Sequence, residues 1–206
     1  PEVGFVIQRE VPPRLLDNRR FVLRAHAMLV LRRDALTISA HPDVICLPYA
    51  VEHDANSEDK AAHVSQIGKG HPTPYLLEKR QLELYASVLP QIRTICGNLL
   101  SAVAGLVTAC RPTDAVATSP PTGQLLYSLL GLDLAVEPGA TARTVLLEVN
   151  TYPAIANGTM STVPRAIYTR LVEDMLRELK LVSDVAETEL SGFTAVQRVQ
   201  VQQHAC

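Results

Sequence analysis

Asp133, Glu148 and Asn150 are the residues in this sequence whose types and spacing best suit a chemical task. Glu148 and Asn150 stand two apart in an apolar run, so on a strand they share a face. If Val136 pairs with Val145 across the intervening turn, Asp133 falls directly opposite Glu148. Two carboxylates facing each other across a strand pair repel. A divalent cation between them removes that cost. Magnesium favours carboxylate and amide oxygens together with substrate phosphates. On spacing alone the same pattern also fits the solvated face of an ordinary hairpin.

These residues need a hairpin to hold them. Residues 125–136 carry apolar residues up to a turn at 137–143, and residues 145–150 read as the return strand. Leu132, Leu134, Leu146, Leu147 and Val149 supply a packed sheet around the polar positions. Upstream, Val3-Gly4-Phe5-Val6-Ile7 reads as a buried strand, and Pro12-Pro13 stops regular structure. Residues 20–31 read as a strand. Residues 36–39 are its partner through a turn at Arg32-Arg33-Asp34, and residues 44–47 follow the turn His41-Pro42-Asp43. Residues 50–75 are a long polar loop of the kind compact domains keep for a lid or a binding segment.

Residues 76–110 turn helical. Ile92, Ile95, Cys96, Leu99, Leu100, Val103, Leu106 and Val107 recur at three- and four-residue steps. Pro90 fits the first turn of that helix. Residues 111–122 read as a linker. Ser161 or Thr162 is placed to cap a last helix opening at Pro164, with Ile167, Leu171, Met175 and Leu179 on its apolar face. Beyond about Leu190 the chain is rich in Gln and Val and has no clear period.

Composition narrows the classes. With 206 residues and 47% hydrophobic content the chain is globular. Nineteen basic against 21 acidic residues give a net charge of −2, so a nucleic-acid binder acting by direct readout is not expected. A local basic patch could still form, for example from Arg14, Arg19, Arg20, Arg24, Arg32 and Arg33. The four cysteines lack CxxC spacing and read as free thiols in a reducing compartment. The six histidines give no zinc spacing. The apolar run near 92–107 is interrupted by Arg93, Asn98 and two glycines, so it reads as a core helix, not a membrane span. The chain opens at Pro1 almost directly on an apolar strand, which reads as a fragment or a processed chain.

Several strings resemble one known family. Leu146-Leu147-Glu148-Val149-Asn150-Thr151-Tyr152-Pro153 resembles the "LLEVNxxP" signature of the tubulin–tyrosine ligase-like family. Leu129-Leu130-Gly131-Leu132-Asp133-Leu134-Ala135-Val136 resembles its "FGFDFMVD" strand. Val6-Ile7-Gln8-Arg9-Glu10-Val11 is similar to its "VIQKYL" strand and hinge. Arg19-Arg20-Phe21-Val22-Leu23-Arg24 is similar to "RKFDIR", and Ala62-His63-Val64-Ser65-Gln66 to "HLTN". The blocks keep the family's order and cover about residues 3–180.

The resemblance implies an ATP-grasp fold of α+β class, a mostly antiparallel sheet flanked by helices. Residues 1–181 would be the C-terminal part of that domain, its N-terminal half absent from this chain, and 182–206 a C-terminal extension. It implies an ATP-dependent carboxylate–amine ligase that adds an amino acid to a protein tail through an acyl phosphate. The cofactors would be ATP and Mg2+. Asp133, Glu148 and Asn150 would hold the metal. Arg24 would be catalytic, contacting phosphates or the acyl phosphate. Gln8, Arg9, Glu10 and Val11 would line the adenine. The partner would be a tubulin tail or another protein substrate, in the cytoplasm or on the cytoskeleton, or in another reducing compartment such as the mitochondrial matrix.

The departures from the family pattern carry an alternative. The acid of "FDIR" is Val22, and residues 38–49 contain no arginine where the family uses one at the substrate end. "HLTN" has become His63-Val64-Ser65-Gln66. These changes fit a catalytically degenerate member serving as a structural or interaction subunit of a large multi-subunit assembly.

Overall fold

Twelve residues, FVLRAHAMLVLR, form β1 (Phe21–Arg32), the strand on which the rest is hung. The computed structural model describes residues 10–32, 35–59, 72–109, 125–139, 141–153, 155, 165–180 and 192–200. β1 is long enough to pair along both edges. One edge takes β5 (Leu125–Val136) from Leu23 to Arg32. The other takes β2 (Ala35–Ala40) at its C-terminal end and β3 (Ile45–Pro48) at its N-terminal end. β2 and β3 therefore lie in line along one edge, interrupted at 41–44. Pro42 lacks the N–H a continuous ladder needs.

β4 (Tyr75–Leu76) flanks β3, β6 (Thr144–Asn150) flanks β5, and β7 (Thr194–Gln200) flanks β2. All seven strands of this open sheet pair antiparallel. With α1 (Leu77–Arg80), α2 (Leu82–Ala109) and α3 (Arg165–Glu178), the described residues form a mixed, mostly antiparallel structure with few helices. That is the architecture expected at the level of class.

Strand alternation divides the sheet between the two long helices. Leu23, Ala25 and Ala27 of β1 join Ile38, Cys46, Leu132 and Leu134 in a core against α2. Met28 and Val30 join Ile45 and Leu47 in a second core against Ile167, Tyr168 and Leu171 of α3. The α2 stripe is Leu84, Val88, Ile92, Cys96 and Leu100, one residue every four, each at most 4% exposed. This corrects two expectations. Leu106 is exposed, not core. Pro90 is inside the helix and not in its first turn, because the apolar stripe begins upstream at Leu84. Proline removes the N–H that Ala86 C=O would accept. Both residues lie on the exposed side, where that carbonyl is open to solvent.

Gln91, the next residue, ties α2 to the site hairpin. Its Oε1 accepts from the Thr144 N–H at 2.9 Å, and its Nε2 donates to Ala142 O at 2.7 Å. The side-chain amide thus takes the place of a further strand at the start of β6. Gln91→Ala strands a buried donor and a buried acceptor together. It should lower stability by about 2 kcal/mol, read as a lower urea midpoint at unchanged slope.

The strand expected at 3–7, the linker at 111–122, the cap at Ser161 or Thr162 with Pro164, and residues 60–71 of the 50–75 loop lie outside the described residues. β7 falls where the sequence shows no period. No helix of the described residues is long and apolar enough to cross a membrane.

Candidate functional site

The polar face of the sheet is built from three adjacent strands. Arg24 of β1 is the cross-strand neighbour of Asp133 on β5, and Asp133 is the neighbour of Glu148 on β6. The expected facing of Asp133 and Glu148 is therefore present. Its assumed register is not. Val136 pairs with Thr144 and Ala135 with Val145. A β-bulge makes up the difference: Asp133 pairs with Glu148 but Leu134 with Leu146, leaving Leu147 as the extra residue.

The bulge also sets side-chain direction. A one-residue slip exchanges the faces of a strand. Leu146 and Val149, three apart, therefore both pack against the α2 core. Glu148 and Asn150 are left on the other face with Asp133. A regular strand would have put Leu146 beside Glu148.

Arg24 grips Asp133 with a two-pronged ion pair. Its Nε donates to Oδ1 at 2.8 Å and its Nη2 to Oδ2 at 2.7 Å. Both side chains are 15% exposed, the geometry in which such pairs are strongest. Asn150 Nδ2 donates to the same Oδ2 at 3.3 Å. The hydrogen bonding that Arg24 donates to Asp133 raises the guanidinium pKa against the effect of burial, with further attraction from Asp133, Tyr168 and Glu148. Glu148 itself is exposed.

Tyr168 of α3 closes one side. It is 6% exposed, and burial raises its phenol pKa while the positive charge of Arg24 pulls it back. Behind Arg24 on the same strand face lies His26, 2% exposed, its ring edge-on to Tyr168 at 6.3 Å. His26 Nε2 has no hydrogen-bond partner. Gly131 sits between His26 and Asn150 in register. A Cβ there would stand 2.9 Å from Pro153 Cβ. Glycine lets the chain after β6 fold back over the sheet, which leaves Tyr152 94% exposed beside the site.

Two carboxylates and an amide on one face are hard oxygen donors that suit Mg2+ completed by phosphate and water. To serve, Asn150 must present its oxygen, a half-turn of the amide. No cluster of three or more His, Cys, Asp or Glu suited to a metal occurs among the described residues. Among the described residues of this face, Asp133, Glu148 and Asn150 are the side chains that would hold such an ion.

Gln8 and Arg9 lie outside the described residues. Glu10 is exposed and paired with Arg20 Nη2 at 2.8 Å, and Val11 is half-buried. The basic patch is largely spoken for within the fold. Arg19 donates to Tyr49 O and Ala50 O, Arg20 to His53 Nδ1 at 3.0 Å, and Arg14 to Gly139 O at 3.4 Å. These bonds follow a two-residue turn at Asp17-Asn18, both at positive φ, which brings residues 19 and 20 against the 49–53 segment.

Sequence reasoning missed Tyr168 and His26. Tyr168 follows Ile167 on the apolar stripe of α3, and His26 continues the alternation of Arg24. Those offsets are the only signal. The chain matches no family model and no curated protein.

Proposed function

We propose that this chain is part of an ATP-grasp-type domain similar to the tubulin–tyrosine ligase-like family, and that its polar sheet face handles magnesium–ATP. The observation that carries the reading is the convergence of Arg24, Asp133, Glu148 and Asn150. They come from three strands, and they are the residues the resemblance selects. Bound there, the metal would supply charge neutralisation for the phosphates. Asp133, Glu148 and Asn150 would hold it, and Arg24 would face the phosphates. The reaction would be the ligation of an amino acid to a protein carboxylate or amine, with a tubulin tail as the candidate acceptor.

The test is Mg2+-dependent ATP binding by calorimetry, followed by incorporation of labelled glutamate, glycine or tyrosine into tubulin. Glu148→Gln lies on an exposed side chain and should leave the fold intact. It should weaken Mg·ATP at least tenfold, since a charged contact contributes on the order of 1.5–3 kcal/mol. Binding that is absent, or indifferent to magnesium, would refute the reading.

A second reading is favoured by a specific feature. Val22, where the family carries an acid, is 7% exposed and faces Leu47 across the strand pair. It stands two residues from Arg24, on the same face. Binding of Mg·ATP without amino-acid transfer would fit a degenerate member that keeps the site as a structural or interaction element.

A further inference from the structure

Asp133 is already neutralised. Arg24 holds both of its oxygens and Asn150 shares one of them. Asp133 Oδ2 already accepts from both Arg24 and Asn150, so a divalent cation that takes that oxygen must displace one of them, and at either oxygen it meets the Arg24 charge at close range. The loss is not the whole of Arg24's support. Tyr168, contributed by α3 and not by the sheet, is buried on the same side of the site, its ring 6.3 Å from that of His26 two residues along β1, and its phenol interacts favourably with the Arg24 charge. An arginine freed from Asp133 therefore stays beside the site with donors to spare, facing whatever anion arrives with the cation.

We propose that Arg24 is an exchangeable counter-cation of this site, closed on Asp133 until a divalent cation and its phosphate enter together, and then turned from Asp133 to the phosphate. The inference rests on the magnesium–nucleotide reading and adds its order of assembly. The metal alone meets a competitor. The metal–triphosphate complex brings the anion that compensates Arg24 for the bond it gives up. Metal and nucleotide should bind far better together than apart.

This predicts opposite signs for one substitution. In Arg24→Gln, Mn2+ alone, followed by electron paramagnetic resonance, should bind about five- to tenfold more tightly, because a unit positive charge next to the ligand is gone. Mn·ATP should bind at least tenfold more weakly. Arg24→Lys, which keeps the charge but loses the fork, should fall between on both counts. A purely structural Arg24 would move both affinities the same way.

The wild-type chain gives an independent readout. The Arg24 Nε–H is bonded to Asp133 Oδ1, and saturating Mg·ATP should shift its proton resonance as the carboxylate acceptor gives way to phosphate. An unchanged Nε–H signal at saturation would overturn the proposal even if the Arg24 variants fail to fold. So would Mn2+ affinity that is unaltered or weaker in Arg24→Gln while Glu148→Gln loses it. No binding of Mn2+ or Mn·ATP by the wild-type chain would instead sink the reading of the site itself, and this proposal with it.

Discussion

Asp174→Ala should destabilise the protein by about 3–5 kcal/mol. Asp174 lies on the buried side of α3, its side chain 5% exposed. His41 Nε2 stands 3.0 Å from Oδ2, and Arg177 Nη1 donates to Oδ1 at 2.9 Å. The Gly192 N–H adds a backbone hydrogen bond. The Asp43 N–H donates to His41 Nδ1 at 3.2 Å. With Nδ1 accepting, a neutral His41 carries its proton on Nε2, directed at the carboxylate. Burial would raise the Asp174 pKa, but the His41, Gly192 and Arg177 hydrogen bonds more than offset it and the net shift is downward.

The carboxylate thus joins three parts of the fold. His41 comes from the break between β2 and β3, Gly192 from the approach to β7, and Asp174 from α3. Removing it leaves a buried imidazole N–H, a guanidinium and a backbone N–H without their acceptor. Arg170 contributes little, being half exposed and 3.8 Å away. Glycine at 192 is part of the same junction, since a Cβ there would lie 2.3 Å from Asp174 Oδ2. Urea unfolding followed by far-UV circular dichroism measures the loss. Asp174→Asn keeps one acceptor and should lose clearly less. A change under about 1 kcal/mol for Asp174→Ala would show that water replaces the carboxylate and the junction is not tight.

The contrast between what is legible and what is not follows the range of the interactions. β1, β2, β5 and β6 are read from residue type and turn chemistry, because each is a local apolar run with punctuated ends. The facing of Asp133 and Glu148 was reached through a uniform register that the chain does not keep. It survives because the bulge at Leu147 falls on the turn side of the pair. A bulge also hides β7. Ile38 pairs with Gln197 but Ser39 with Ala195, so Val196 is extra. Val196 and Val199 reach the core at a spacing of three, which no strand template matches. Asp174 is hidden differently. It stands seven residues after Ile167 and three after Leu171, on the apolar stripe. Next to Glu173 it still reads as part of a solvated face. Only the tertiary arrival of His41 and Gly192 makes burial there tolerable. The same limit applies to Arg24, whose partners Asp133 and Tyr168 are more than a hundred residues away.

The chain should lose stability in mild acid, well above the range where carboxylates titrate, and His26 is the cause. Burial, then the charge of Arg24, push its pKa down to about 3. An exposed histidine in the unfolded chain titrates near 6.5. Below that value the unfolded state takes up a proton that the folded state refuses. The unfolded state then binds more protons, and stability falls as pH falls. The contribution is complete above about pH 6.5 and declines by about 1.4 kcal/mol per unit until about pH 3. Between pH 6.5 and 4.5 the loss should be roughly 2–3 kcal/mol. Asp174 acts in the same direction but lower down. Its folded pKa lies below the usual carboxylate value, so its stabilisation is intact above about pH 4 and fails only beneath it. The interval from 6.5 to 4.5 therefore separates the two groups. His26→Leu, similar in size and unable to take a proton, should flatten the pH dependence of the urea midpoint across that interval and keep the steeper fall below it. Equal slopes in the two proteins from pH 6.5 to 4.5 would mean that the buried imidazole is protonated in the folded state, with an acceptor or a water reaching Nε2.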